Sequence, residues 1–222
     1  MAKKYNPKQT VEKILSTSTA LFAEKGYDNT SMQDIVNALG MSKGAIFHHF
    51  KSKEDVFHAV MEQQFEQVKA LMEQWVAEME GLPAREKLQG LLERNLTSEV
   101  IMAANKANAA VVASSPRVLL ASIQGNAKKA APLLAQLMRE GIADGSITTE
   151  FPDECAEVFL LLFNIWCDTY VFACDLGTVR RRLQFLQNMM KRMGVDIVTD
   201  EIIEASIKTS ETINMGVITW TI

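Results

Sequence analysis

Apolar residues return every three or four positions through most of the chain, the period of an amphipathic helix. The pattern predicts a first helix from Pro7 to Lys25, with Val11, Ile14, Leu15, Ser18 and Phe22 on one face. Gly26 stops it and Tyr27 closes the cap. A second helix is expected to open at Thr30, with Gln33 completing a capping box and Met32, Ile35, Val36 and Leu39 forming the buried stripe. Gly40 ends it, Met41 plugs the turn, and Ser42 caps a third helix from Lys43 to about Phe50, with Ile46 and Phe50 facing inward. Ser52 and Asp55 read as the cap of the next helix.

The remainder predicts long helices over about Lys53–Glu80, Ala84–Ala113 with a break near Asn105, Val118–Ala143 divided at Pro132, 153–174, and 178–193 capped by Thr178. The fold class is all-α, with eight or nine helices and short connections. The helix over 153–174 is apolar on nearly every side, which predicts burial all round. The helix over 178–193 carries the stripe Val179, Leu183, Leu186, Met190 and Met193. Two such helices cover each other on one face only, so a twofold contact between copies is the expected cover for the rest. Residues 200–209 suggest a short helix, and Val217–Ile222 follow no recognisable pattern.

The third helix is short and leaves Lys43, Ala45, Phe47, His48 and His49 on or near its outer surface. Two helices around a glycine turn are common. The residue pattern here is more specific: Leu21, Phe22, Gly26, Tyr27, Thr30, Ile35, Gly40, Ser42, Gly44, His49, Phe50, Lys53 and Phe57 resemble the TetR family of bacterial transcription repressors over roughly residues 8–60. The chain departs from that pattern at Phe47, where the family usually has Tyr, and at Val36 and Leu39, which are more often Ala. The phenolic hydroxyl that typically contacts a phosphate is therefore missing.

By chemistry, Thr30 and Ser42 at helix starts and Lys53 at the next helix suit phosphates. Lys43 suits guanine O6 and N7, Ala45 a thymine methyl, and His48 and His49 can donate to bases or phosphates. Gly44 allows close backbone approach. The resemblance implies base readout by Lys43, Ala45 and His48, with Phe47 and His49 nearer the DNA backbone. Lys3, Lys4 and Lys8 form a basic arm.

Charge sharpens the division. Residues 1–60 carry 8 Lys/Arg against 6 Asp/Glu, leaving 15 against 21 for the rest of a chain whose net charge is −4. Any affinity for a polyanion must therefore be local to the N-terminal part. Adjacent imidazoles at 48 and 49 diverge by about 100° on a helix, unlike the i,i+4 pair of a zinc site, so no metal is expected. Cys155, Cys167 and Cys174 fall in one stretch and read as buried apolar residues in a reducing compartment, a redox role requiring an exposed low-pKa thiol. The apolar run Val158–Cys174 is interrupted by Asn164 and Asp168 and is too short to span a bilayer. The N-terminus has no apolar signal core, which predicts a cytoplasmic protein. Phosphate loops, paired catalytic carboxylates and nucleophile motifs are missing from the pattern, so neither an enzyme nor a bound cofactor is expected.

The resemblance implies a DNA-binding helix-turn-helix head over 1–52 and a helical effector-binding and dimerisation domain over 53–195, followed by an extension over 196–222 of unassigned role. It implies a homodimer built on Phe159, Leu162, Val179, Leu183, Leu186 and Met190, and a palindromic operator in double-stranded DNA. It also implies a cavity for a small apolar or amphipathic effector that releases the repressor. Candidates to line it are Phe65, Met72, Trp75, Met102, Met138, Phe163, Trp166, Asp168 and Tyr170. Asp168 either holds a cationic ligand group or pairs with an arginine such as Arg94, Arg139 or Arg181. Two alternatives stay open: an effector-independent architectural or cell-cycle DNA-binding factor of the same fold, and an all-α ligand carrier or enzyme.

Overall fold

A computed structural model describes residues 6–99, 101–102, 112, 115–169 and 171–214. The expected break near Asn105, the arm residues Lys3 and Lys4, Tyr170 and the stretch 217–222 lie outside the described residues. Among the described residues every regular element is helical.

The chain forms two units, Met1–Leu71 and Met72–Ile222. The N-terminal unit contains α1 (Pro7–Lys25), α2 (Met32–Leu39), α3 (Lys43–His49) and the first part of α4 (Lys53–Glu78). The Asn6 side chain caps α1 by accepting from the N–H groups of Lys8 and Gln9, and Pro7 spares a donor that would otherwise be orphaned. Ile14, Leu15, Ser18 and Phe22 face inward, as the spacing predicts. Phe22, Tyr27 and Phe57 meet as a three-ring cluster, with Tyr27 and Phe57 centroids 4.8 Å apart. The start of α4 therefore belongs to the head: Val56, Phe57 and Val60 are buried, and the unit boundary falls inside α4 rather than at residue 52. The Ser52–Asp55 cap is present, each residue bonding the other's backbone N–H.

The second unit holds α5 (Ala84–Thr97), α6 (Pro116–Gly125), α7 (Ala131–Asp144), α8 (Pro152–Leu161), α9 (Leu176–Arg192) and α10 (Asp200–Asn214). A π-helical turn, Asn126–Ala130, joins α6 to α7. Pro132 has no N–H to give the carbonyl four residues back, and the helix widens just before it: the Ala131 N–H reaches Asn126 O, five residues back. α7 packs on α5 and α8, and α10 on α5 and α9.

Four expectations change here. The stripe Val179, Leu183, Leu186 and Met190 is not an intersubunit face, since all four are buried by the chain itself. The cover comes from α10, whose Ile202, Ile203 and Ile207 share their core cluster, as do Phe159 and, at its edge, Leu162. Residues 196–214 are accordingly no appendage: Ile197 and Val198 are buried too, and α10 is fastened by a bidentate Arg180–Glu204 pair, by Gln187 donating to Asp200, and by the Thr209 hydroxyl donating to Leu96 O. The helix over 153–174 is neither continuous nor buried all round. It ends in a π-helical turn, Leu162–Trp166, and leaves Val158 and Leu161 40% and 43% exposed. Asn164 is exposed as well. Asp175, rather than Thr178, supplies the cap of α9, accepting from the Thr178 N–H at 2.7 Å.

The start of α5 is capped from a distance. Pro83 precedes it and has no capping side chain, so Asp144 accepts from the Ala84 N–H (2.8 Å) and the Ser146 hydroxyl from that of Arg85 (3.2 Å). Ser146, together with the Ala84 N–H, holds the Asp144 carboxyl below its ordinary value. A depressed carboxyl adds stability above its unfolded pKa and loses it as pH falls through the folded value. Thermal melts of the wild type should therefore drop faster below about pH 4 than those of Asp144→Asn, which should already be lower at neutral pH; parallel acid limbs would remove Asp144 from the balance.

Candidate nucleic-acid interface

The helix-turn-helix is assembled from short-range hydrogen bonds. α2 is capped by Ser31, one residue later than expected. Its hydroxyl accepts from the Asp34 N–H (3.1 Å), and the Asp34 carboxylate accepts from the Ser31 N–H (2.8 Å) and hydroxyl. Both Thr30–Gln33 and Ser31–Asp34 fit the capping pattern. The carboxylate wins because an ionised acceptor binds the N–H more strongly than an amide, and Lys25 braces it from α1 at 2.9 Å. Gln33 instead donates to Asn37. The Ser31 hydroxyl, with Lys25 beside it, holds the Asp34 carboxyl well below the usual carboxylate range.

Thr30 is thereby corrected as a phosphate contact. It is 2% exposed, and its hydroxyl donates to Gly26 O at 2.8 Å. Lys53 is corrected in the same way. Its ammonium donates to Tyr27 O (2.8 Å) and Asp28 O (3.3 Å) and lies 4.3 Å from the centre of the Tyr27 ring, so it pins the start of α4 to the α1–α2 turn.

The turn itself depends on Gly40, whose φ of 61° and ψ of 24° lie in the left-handed region. Its N–H returns to Val36 O, closing α2. Ser42 then caps α3 by accepting from the Ala45 N–H. Ile46 is fully buried and Phe50 follows it inward. That orientation leaves Ser42, Lys43, Gly44 and His48 exposed, with Ala45, Phe47 and His49 half-buried. The Lys43 ammonium sits 5.4 Å over the Phe47 ring, and the rings of His48 and His49 meet edge to face at 5.4 Å. A Cβ added at Gly44 would meet no atom within 4 Å. Seven of the nine expected DNA-binding residues therefore gather at one end of the head, around α3.

Lys51 was missed. It is exposed, and its ammonium donates to Phe47 O at 2.8 Å, closing the end of α3 and adding positive charge beside the imidazoles. The signal was available as a lysine four residues after an outward position of a short helix. Among the described residues, no group of three His, Cys, Asp or Glu side chains converges as a metal site.

The expected effector residues are spread more widely. Phe65 belongs to the N-terminal unit and Met72 and Trp75 to the other. Met138 is fully buried in the core, with Phe163 and Trp166 at its edge, Phe163 stacked on Phe159 at 5.2 Å. Met102 is half-buried. Asp168 closes a turn, accepting from the Val171 N–H at 2.9 Å. The three arginines considered for it have other contacts: Arg94 with Glu78, Arg139 with Asp153, and Arg181 with the Thr178 hydroxyl. A shallow surface crevice is lined by Ile123, Asn126, Ala127, Glu157, Val158 and Leu161, none of them in the expected set.

Residues 14–60 match the model of the bacterial regulatory proteins of the tetR family. The HTH-type transcriptional repressor Rv1474c of Mycobacterium tuberculosis is 42% identical over 69 residues, 31% of this chain and 34% of that protein. The HTH-type regulator AcrR of Shigella flexneri is 33% identical over 99 residues, 43% of this chain and 46% of its own length. The chain thus spans a third to a half of the length of these relatives. Solved structures extend the likeness of fold over most of the chain: Salmonella enterica GusR (TM-score 0.61, 20% identity, 86% of this chain and 98% of that one) and a tetR-family regulatory protein from Rhodococcus (TM-score 0.55, 20% identity, 83% and 97%). The helix-turn-helix head, residues 14–60, is thus that of the tetR family of bacterial regulatory proteins.

Proposed function

We propose that the protein is a DNA-binding transcriptional regulator, a homodimeric repressor that a small apolar or amphipathic molecule releases from a palindromic operator. The observation that carries this is the outer face of α3, where Lys43 and His48 stand exposed beside a bare backbone at Gly44, with Lys51 exposed just past the helix end. In this reading α3 enters the major groove. Lys43 reads a guanine, Ala45 a thymine methyl and His48 a base edge, while Ser42, Phe47, His49 and Lys51 lie along the phosphate backbone. That Rv1474c is named a repressor, and the Staphylococcus epidermidis relative IcaR a negative regulator, supports the direction of control.

Dimerisation would use the apolar side chains that α8 and α9 leave outside, Val158, Leu161 and Phe185, in place of the internal stripe. Two heads would then meet half-sites about 34–36 Å apart, one turn of DNA. The effector would have to open a site in the α5–α10 unit, where Met138, Phe163 and Trp166 pack as adaptable apolar core. Such a regulator works beside the chromosome, in the cytoplasm; no helix among the described residues is long and apolar enough to cross a membrane.

Fluorescence anisotropy on the intergenic DNA beside the protein's own gene, against a scrambled control, tests this. Specific binding saturating at two chains per site supports it, and equal binding to both sequences argues against it. Lys43→Ala should weaken specific binding by about 1–3 kcal/mol and relax preference at one base pair. An equal loss on scrambled DNA would make Lys43 a phosphate contact.

A further inference from the structure

We propose that Cys174 and Cys167 are a redox-active thiol pair: a hydroperoxide oxidises Cys174, and Cys167 then closes a disulfide on it. Cys167 directly follows the π-helical turn that ends at Trp166, and Cys174 stands two residues before the start of α9 at Leu176. Arg182 reaches back from α9 and places one guanidinium nitrogen, Nη1, against both Trp166 O (2.5 Å) and Cys174 Sγ (3.5 Å). The Cys174 sulfur and the carbonyl leading directly into Cys167 therefore share a single cationic donor. The guanidinium is clasped by rings, its carbon 5.2 Å from the centre of Trp166 and 5.7 Å from that of the exposed Phe172.

The two thiols differ in their surroundings. Cys174 is half-buried, and Arg182 donates an N–H to its sulfur at 3.5 Å. Cys167 is buried, and that burial pushes its thiol up to about 11, against the pull of Arg182 and with Cys174 close enough to add to it. Cys155 is placed differently, buried near the start of α8 against the Thr149 hydroxyl at 3.5 Å.

In the first step the Cys174 sulfur attacks one peroxide oxygen. The S–O bond forms as the O–O bond breaks, the sulfur gives up an electron pair, and the departing alkoxide takes the thiol proton and leaves as alcohol. In the second step the Cys167 sulfur attacks the Cys174 sulfur. The S–S bond forms as the S–O bond breaks, and the departing hydroxide takes the Cys167 proton and leaves as water.

The test uses the full chain, reduced, treated with cumene hydroperoxide, quenched with N-ethylmaleimide and digested with chymotrypsin, which cuts after Phe172 between the two sulfurs. The peptides carrying Cys167 and Cys174 should emerge joined by a disulfide, with Cys155 alkylated. Cys174→Ser should leave Cys167 alkylated, and Cys167→Ser should stop at a sulfenic acid on Cys174 that dimedone traps. Three alkylated cysteines after about a tenfold excess of peroxide, or a bridge that uses Cys155 or joins two chains, overturns the pair. Mass reads this chemistry without reference to DNA, so its failure leaves the operator-binding proposal untouched.

Discussion

Replacing Gly44 with leucine should weaken operator binding about a hundredfold or more, the equivalent of about 2.7 kcal/mol, while the head melts at an unchanged or slightly higher temperature. Glycine inside a helix costs roughly 0.5–1 kcal/mol relative to alanine. Nothing in the free protein explains that cost, because a side chain at 44 would project into open space. An approaching surface outside the chain explains it. A leucine there would hold α3 off the groove and stretch the contacts of Lys43 and His48 together, and each good base contact is worth about 1–3 kcal/mol. Anisotropy and thermal melts on the same sample separate the two effects. Wild-type affinity in Gly44→Leu would mean that α3 does not approach DNA along the Gly44 line, and the docking geometry would have to be redrawn.

Replacing Gly194 with alanine should destabilise the C-terminal unit by about 2–5 kcal/mol, a large share of the 5–15 kcal/mol typical of a domain. Gly194 has φ of 81°, which costs a non-glycine residue roughly 1–2 kcal/mol. A Cβ there would also stand 2.9 Å from the backbone carbon of Thr148 and 2.9 Å from the nitrogen of Thr149. Those atoms cannot step aside, since the Thr148 N–H donates to Gly194 O in the same contact. Overpacking of this kind adds about 1–3 kcal/mol. Gly145→Ala is the control: its φ is 82° but nothing lies within 4 Å, so only the backbone cost applies. Equal melting temperatures for the two variants would show that the Thr148 contact relaxes freely.

The head was legible in the sequence because its signals are local. Gly40, Ser42, Ile46 and Phe50 act within one or two turns, and each sits where spacing put it. The errors there are of one residue or one rotamer. Thr30 and Ser31 compete for the same cap, and periodicity cannot tell a lysine that faces solvent from one that, like Lys53, turns back on carbonyls 25 and 26 residues away. The second unit was legible as a set of helices and not as a packing. An inward stripe on α9 looks the same whether its cover is a second chain or Ile202 and Ile203 of the same one. The π-helical turns before Pro132 and at Trp166 escaped because a heptad reading has no place for one extra residue.

The fastening of α10 bears on the order in which the chain becomes a protein. The longest of the head's hydrogen bonds described above, Lys53 to Tyr27, spans 26 residues, so the head has its partners soon after α4 leaves the ribosome. In the other unit Gln89 donates to Asp196 O and Thr209 to Leu96 O, across 107 and 113 residues. That core closes only when the last helix has been synthesised, and long-range closure of this kind is slow. During translation, a folded DNA-reading head therefore precedes an open apolar core, and a message cut short before α10 yields a head joined to a sticky, unfinished domain.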